Sequence, residues 1–223
     1  MRRLPLTCRA GCSAACACSA VTNMIRTGIF GGTFDPVHYG HIRLAETAYN
    51  ELSLDKVIFM PAYIPPHKAD NIVSDWEHRV NMLKLAISDI PYFNISFLEK
   101  ELQGRSYTAR TLSILKEKYE ALVFIMGADS FMNLDGWYHP QEIFNNAEIA
   151  CACRDEEDRA VLLAKADEYR SRYGGVSHIL DMVKFDVSST CIRENIRNRK
   201  QCDGIIPEKV LEYIKENGLY YET

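Results

Sequence analysis

From Ile25 onward the chain alternates short apolar runs with longer amphipathic stretches, and this alternation limits its fold more than any other feature. The runs Ile25–Phe30, Lys56–Met60, Phe93–Leu98, Ala121–Met126, Glu148–Cys153 and Ile179–Phe185 read as strands. Between them, His41–Leu52, Asp75–Ser88, Thr108–Tyr119 and Glu156–Tyr173 carry helical periodicity. Such alternation predicts an α/β domain with an open, mostly parallel sheet and helices on both faces. Val57–Met60 and Leu122–Met126 are near-continuous apolar runs, as strands buried on both faces should be. Ser74 is placed to cap the second helix, with Glu77 completing a capping box, while Pro207 and Gly218 bracket a last helix.

With 223 residues there is room for one sizeable domain, and a second would be cramped. No apolar run approaches the roughly 20 residues that span a bilayer, so no membrane partner is expected. The formal charge of −4 argues against broad, charge-driven binding of nucleic acid. It leaves room for a small cationic pocket.

The first 23 residues stand apart. They hold four of the eight cysteines, three basic residues and no acidic one. Without them the chain carries 23 basic against 30 acidic residues, a formal −7. Arg2 and Arg3 before a small-residue stretch suggest a signal peptide, but Arg9 and several Ser and Cys make a poor apolar core. Cys8, Cys12 and Cys16 are spaced by four, yet no histidine or second cysteine cluster supports a metal site. The expectation is a disordered or over-extended segment 1–23, with Met24 as the functional start of one domain over 24–223. Cys151, Cys153, Cys191 and Cys202 form no disulfide framework, which points to a reducing cytoplasm.

Two segments carry chemistry. The first strand runs into Gly31–His41 (GGTFDPVHYGH), where a helical pattern begins. Gly31 and Gly32 let backbone approach a bulky anion, and Asp35-Pro36 reads as a turn. His38 and His41, three apart, can face one ligand, and a helix N-terminus adds oriented N–H groups. Together these suit a phosphate chain, through neither a GK[ST] loop nor a GxGxxG fingerprint. The second segment is Val187–Arg193 (VSSTCIR), where Ser188 or Ser189 would cap a helix and Arg193 could fork onto phosphates. Alone it is an ordinary N-cap. Beyond the carboxyl ends of a parallel sheet, both loops can serve one ligand.

On these residues the chain resembles the bacterial nicotinate mononucleotide adenylyltransferases, in the nucleotidyltransferase superfamily marked by HxGH. His38-Tyr39-Gly40-His41 is similar to that motif, and Ser188–Arg193 to the family's SSTxIR signature. Those two specify the superfamily. Pro65-Pro66-His67-Lys68, His78-Arg79, Ser106-Tyr107-Thr108 and Gly127-Ala128-Asp129 with Trp137-Tyr138 narrow the likeness to the family. The resemblance covers nearly all of Met24–Tyr221 and implies a Rossmann-like domain.

It further implies adenylyl transfer from ATP to nicotinate mononucleotide in NAD biosynthesis, giving nicotinate adenine dinucleotide and pyrophosphate. His38, His41 and Arg193 would be catalytic. Gly31, Gly32, Thr33, Phe34, Lys68, Asp129, Ser188, Ser189 and Thr190 would bind ATP, with Asp129 on its ribose. Thr108, Trp137 and Tyr138 would hold the mononucleotide, Trp137 stacking on the pyridine. Mg²⁺ would be held through ATP oxygens, with no dedicated protein metal site. Arg79, beside an apolar stripe, reads equally as structural or functional. Homo-oligomerisation stays open. The chain departs from the family at Arg110, where relatives carry an acidic residue, and at Arg154, which runs into Asp155 rather than a Pro-Gly turn. Other readings are a nicotinamide mononucleotide or other small phosphate adenylyltransferase, and a nucleotide-binding module without chemistry.

Overall fold

A computed structural model describes residues 24–65, 74–153, 156–182 and 187–221. The cysteines of segment 1–23, Lys68 of the Pro-Pro-His-Lys stretch, and Arg154 with Asp155 lie outside the described residues.

Among the described residues six strands form one sheet: β1 (Arg26–Gly32), β2 (Lys56–Pro61), β3 (Phe93–Ile95), β4 (Ala121–Met126), β5 (Glu148–Cys153) and β6 (Ser177–Asp181). Their order is β3-β2-β1-β4-β5-β6 and every pairing is parallel. The helices are α1 (Tyr39–Glu51), α2 (Trp76–Ile87), α3 (Leu98–Leu102), α4 (Thr108–Lys116), α5 (Ala128–Met132), α6 (Pro140–Asn146), α7 (Glu156–Tyr173), α8 (Ser189–Arg197) and α9 (Glu208–Glu216). The expected Rossmann-like α/β architecture is the one observed.

The continuous apolar strands serve two cores at once, because successive side chains leave a strand on opposite faces. Phe30, Val57, Phe59, Val123 and Ile125 join α1, α2, α8 and α9 through Ile42, Leu83, Ile192 and Val210. Ile29, Ile58, Leu122, Phe124 and Ile149 pack on the other face against Leu112, Ile143 and Tyr169 from α4, α6 and α7. Strand order reverses between β1 and β4, and a cleft opens beyond their carboxyl ends, where parallel sheets bind ligands. Among the described residues no helix is long and apolar enough to cross a membrane.

Three local expectations are corrected. β3 stops at Ile95, and Leu98 opens α3 instead of extending the strand. The alternation Phe93, Ile95, Phe97 imitates a strand, but α3 is too short to show its own period. β6 begins at Ser177, two residues before the expected start. Ser74 does not cap α2; Asp75 occupies that position, without a side-chain cap. The main chain of Ser74 is engaged elsewhere, its N–H with Asp35 Oδ2 (3.2 Å) and its carbonyl with Arg79 Nε (3.0 Å). Glu77 pairs with Lys100 instead.

Candidate active site

The β1 strand delivers Gly31 and Gly32 to the floor of the cleft, which has a volume of about 560 Å³. Both glycines are dictated by rings as much as by any ligand. A Cβ on Gly31 would meet the Phe124 ring at 3.0 Å, and one on Gly32 would meet the Phe34 ring at 2.8 Å. Phe34 turns away from the cleft. Its side chain is 1% exposed and lies edge-on to Phe30 (5.5 Å) and His41 (5.1 Å), so only its backbone could meet a phosphate. Thr33 lines the cleft as expected.

His38 is the N-cap of α1 in extended conformation, and its N–H donates to Nδ1 of His41 at 3.3 Å. An accepting Nδ1 places the proton of neutral His41 on Nε2, making that atom a donor. The two imidazoles are layered, with centroids 3.8 Å apart and planes 31° from parallel. His38 is 5% exposed, and its Nδ1 has no hydrogen-bond partner among the described residues. Burial lowers its pKa to about 4, so it is neutral at pH 7 in the absence of ligand. An anion in the cleft would favour its protonated form.

The second signature reaches the same cleft through α8. Ser188 caps that helix, accepting the Cys191 N–H (3.1 Å), and Ser188, Ser189 and Thr190 line the cleft wall. The two signatures, more than 150 residues apart, are joined directly. Ser189 Oγ donates to the Pro36 carbonyl (3.0 Å), and Arg193 Nη1 to the Asp35 carbonyl (2.7 Å). Arg193 Nη2 donates to Thr190 Oγ1 at 3.2 Å. As it stands, the Arg193 guanidinium braces the loop while sitting one helical turn from the hydroxyls.

Beneath that loop lie a buried carboxylate and a buried guanidinium whose position in the fold the sequence did not indicate. Asp35, read as a turn residue, is 3% exposed; its Oδ1 accepts the Tyr220 hydroxyl at 2.5 Å. Arg79, 2% exposed, donates to the carbonyls of Thr33 (2.9 Å), Ala62 (2.8 Å), Tyr63 (3.3 Å) and Ser74. Burial pulls its pKa down from the ordinary arginine value, and the Asp35 charge opposes that pull. Arg79 is therefore structural: it ties the loops after β1 and β2 to the start of α2.

The other end of the cleft is built from loops and short helices. Tyr107 and Thr108 open α4, which no described side chain caps, so its first-turn N–H groups can meet an anion there. Trp137 is half-buried, its ring 6.3 Å from Phe124 and perpendicular to it. Tyr138 is 54% exposed and packs on Tyr107 at 4.5 Å, forming a lip. Asp129 lines the cleft from the first turn of α5. Support comes from behind. Asp135 accepts from Lys165 (2.8 Å), Arg172 (3.1 Å) and the Tyr173 hydroxyl (2.6 Å). The Lys165 hydrogen bond, then that of Tyr173, holds the Asp135 carboxyl below its usual range, and Lys165 is raised in return.

Glu99 was missed by the sequence reading. It is buried at the cleft wall and accepts the Thr111 hydroxyl at 2.6 Å. Arg110 is exposed on the first turn of α4, and its side chain is not part of the wall.

Comparison with known proteins bears on the family and the fold. The cytidylyltransferase-like family model matches residues 29–195. The chain is similar to the nicotinate-nucleotide adenylyltransferase of Bacillus subtilis, at 41% identity over 203 residues, covering 88% of this chain and 99% of that one. A probable nicotinate-nucleotide adenylyltransferase of Clostridium botulinum is 38% identical over 199 residues, covering 89% and 100%. The fold also matches Plasmodium falciparum nicotinic acid mononucleotide adenylyltransferase complexed with NaAD, with a TM-score of 0.71 at 18% identity, over 87% of this chain and 97% of that one. With the loop before the HxGH motif bonded through the carbonyls of Asp35 and Pro36 to the distant SSTxIR helix, and relatives matched over nearly their full length, the chain belongs to the nicotinate-nucleotide adenylyltransferase family within the cytidylyltransferase-like fold.

Proposed function

We infer that this chain transfers the adenylyl group of ATP to nicotinate mononucleotide, in the synthesis of NAD. One observation carries the reading of the site. Two phosphate-type signatures are hydrogen-bonded together at one end of a cleft whose other end is aromatic. A triphosphate and a pyridine mononucleotide could therefore lie end to end over the switch point.

The 5′-phosphate oxygen of the mononucleotide attacks the α-phosphorus of ATP, a new P–O bond forms, and the bond to the β-phosphate breaks. Pyrophosphate leaves with the bonding electrons. The attacking phosphate is already anionic, so the site needs alignment and charge neutralisation more than a strong base. His41 Nε2–H donates to an α-phosphate oxygen, and His38 does the same once the anion raises its proton affinity. Ser188, Ser189 and Thr190 hold the β and γ phosphates at the N-terminus of α8. Arg193 keeps the two loops in register and turns its charge toward the departing pyrophosphate. Asp129 accepts from the ATP ribose hydroxyls, Trp137 and Tyr138 pack against the pyridine, and the start of α4 at Thr108 receives its carboxylate.

The donor set suits Mg²⁺ carried on the nucleotide. Among the described residues no three His, Cys, Asp or Glu converge as ligands, while the triphosphate end presents hydroxyls and N–H donors. A cation carried in on the nucleotide would fit such a wall, and when bound it would lower the charge on the leaving group.

The test is pyrophosphate release with ATP, Mg²⁺ and either nicotinate or nicotinamide mononucleotide. Turnover should favour the acid. Equal use of the amide would overturn the assigned preference, and nucleotide binding without pyrophosphate release would overturn the enzyme assignment.

A further inference from the structure

We propose that Tyr220 is a positioning residue for adenylyl transfer, its hydroxyl setting, through Asp35, the loop on which both phosphate signatures are joined. The inference rests on the adenylyltransferase reading above. Tyr220 lies outside the cleft wall and 185 residues from Asp35 in sequence, so it would act on the reaction only through its neighbours.

Asp35 is held through its side chain and holds others through its main chain. Its Oδ1 accepts the Tyr220 hydroxyl at 2.5 Å, and its Oδ2 accepts the Ser74 N–H. On the opposite side its carbonyl receives Arg193, and the next carbonyl, that of Pro36, receives Ser189. A buried carboxylate that loses one donor reorients or draws in water, because an unpaired charged oxygen is costly. Any such turn of Asp35 shifts the carbonyl that fixes Arg193. The displacement then falls on the distance between the α8 hydroxyls and the His38–His41 pair.

Two further observations favour a placed hydroxyl over simple packing. Tyr220 has φ +69°, a left-handed conformation that costs a bulky residue energy and is kept where surrounding structure demands it. Its ring also lies against the core, with the oxygen 4.0 Å from Met82 Sδ. Phenylalanine would thus fill the same space and lack the donor. Burial, and then the Asp35 charge, push the phenol well above its ordinary pKa, so it stays protonated across the working pH range.

The experiment compares Tyr220→Phe with wild type and with Tyr221→Phe, whose ring is exposed. Steady-state pyrophosphate release and thermal melting are recorded for each. Tyr220→Phe should lose about tenfold in kcat, since small misplacements of aligned groups are expensive. Its KM for ATP should stay within about twofold, the mark of an interaction felt in the transition state. Tyr221→Phe should match wild type. Unchanged kcat in Tyr220→Phe, whatever happens to its melting temperature, would reduce Tyr220 to a packing residue and overturn the proposal. Should Tyr220→Phe fail to fold, Asp35→Asn weakens the same bond by removing its charge and should lower kcat about threefold. No loss there would also overturn it. A wild-type chain releasing no pyrophosphate defeats the functional reading and this inference with it, whereas an active wild type with an equally active Tyr220→Phe defeats this inference alone.

Discussion

The two ends of the cleft are built on different principles. At the triphosphate end, the loop from Gly31 to His38 is pinned from below by Arg79 and Asp35 and from the side by Ser189 and Arg193. Its histidines are partly or wholly buried, and main-chain carbonyls on both sides of it are hydrogen-bonded to side chains from distant elements. At the mononucleotide end, Tyr107, Trp137 and Tyr138 stand on short helices and loops, braced from behind by the Asp135–Lys165 cluster on α7. On the proposed reading, reaction geometry belongs to the braced loop and selection among acceptors to the aromatic end. This is the division expected when alignment supplies the rate and a few contacts supply the choice.

Four substitutions would break or sharpen that contrast. The largest effect should come from Arg79→Met, which leaves the carbonyls of Thr33, Ala62, Tyr63 and Ser74 without their shared donor. About 3–5 kcal/mol of stability should be lost in denaturant unfolding, and an unchanged midpoint would mean the loops hold themselves. His41→Ala should lower kcat about 10²–10³-fold by removing one donor at the α-phosphate. Its KM for ATP should barely move, and retained turnover would take His41 out of the chemistry.

His38 gives a pH test. Its folded pKa, about 4, lies below the unfolded value of 6.5, so between those limits the unfolded chain binds the extra proton. Stability contributed by the neutral ring is complete above pH 6.5 and is lost as pH falls toward 4. The penalty at pH 5 relative to pH 7 should be about 2 kcal/mol. His38→Gln should melt with a flatter pH dependence in that window, and parallel curves would contradict the buried neutral ring. The smallest effect belongs to the aromatic end. Trp137→Ala should raise KM for the mononucleotide about tenfold through lost stacking, with kcat nearly preserved. A kcat loss as deep as that of His41→Ala would erase the distinction between the two ends.

Much of this is legible in the sequence alone. β4, β5 and α7 begin and end where the sequence pattern placed them, because long apolar or periodic runs carry their own signal. α3, α5 and α6 were not seen, since five to seven residues show little period and tertiary contacts hold them. Most expected site residues line one cleft, but the reasons shifted. Gly31 and Gly32 answer to Phe124 and Phe34, the Phe34 side chain belongs to the core, and Ser74 serves Asp35 instead of a helix. Asp35, Arg79 and Tyr220 looked ordinary as letters. The burial and bonding of Asp35 depend on segments 39 and 185 residues away meeting under one loop, which local pattern does not record.

The bonds from Ser189 and Arg193 to the carbonyls of Pro36 and Asp35 bear on how such a chain can be altered by recombination. A crossover placed between β4 and α8 would mate one parent's histidine loop with the other parent's serine helix. The acceptors are main-chain atoms, so divergent side chains matter little there, whereas the spacing of the helix from the loop matters a great deal. Modular exchange should therefore succeed between parents that share α8 placement, even at low sequence identity.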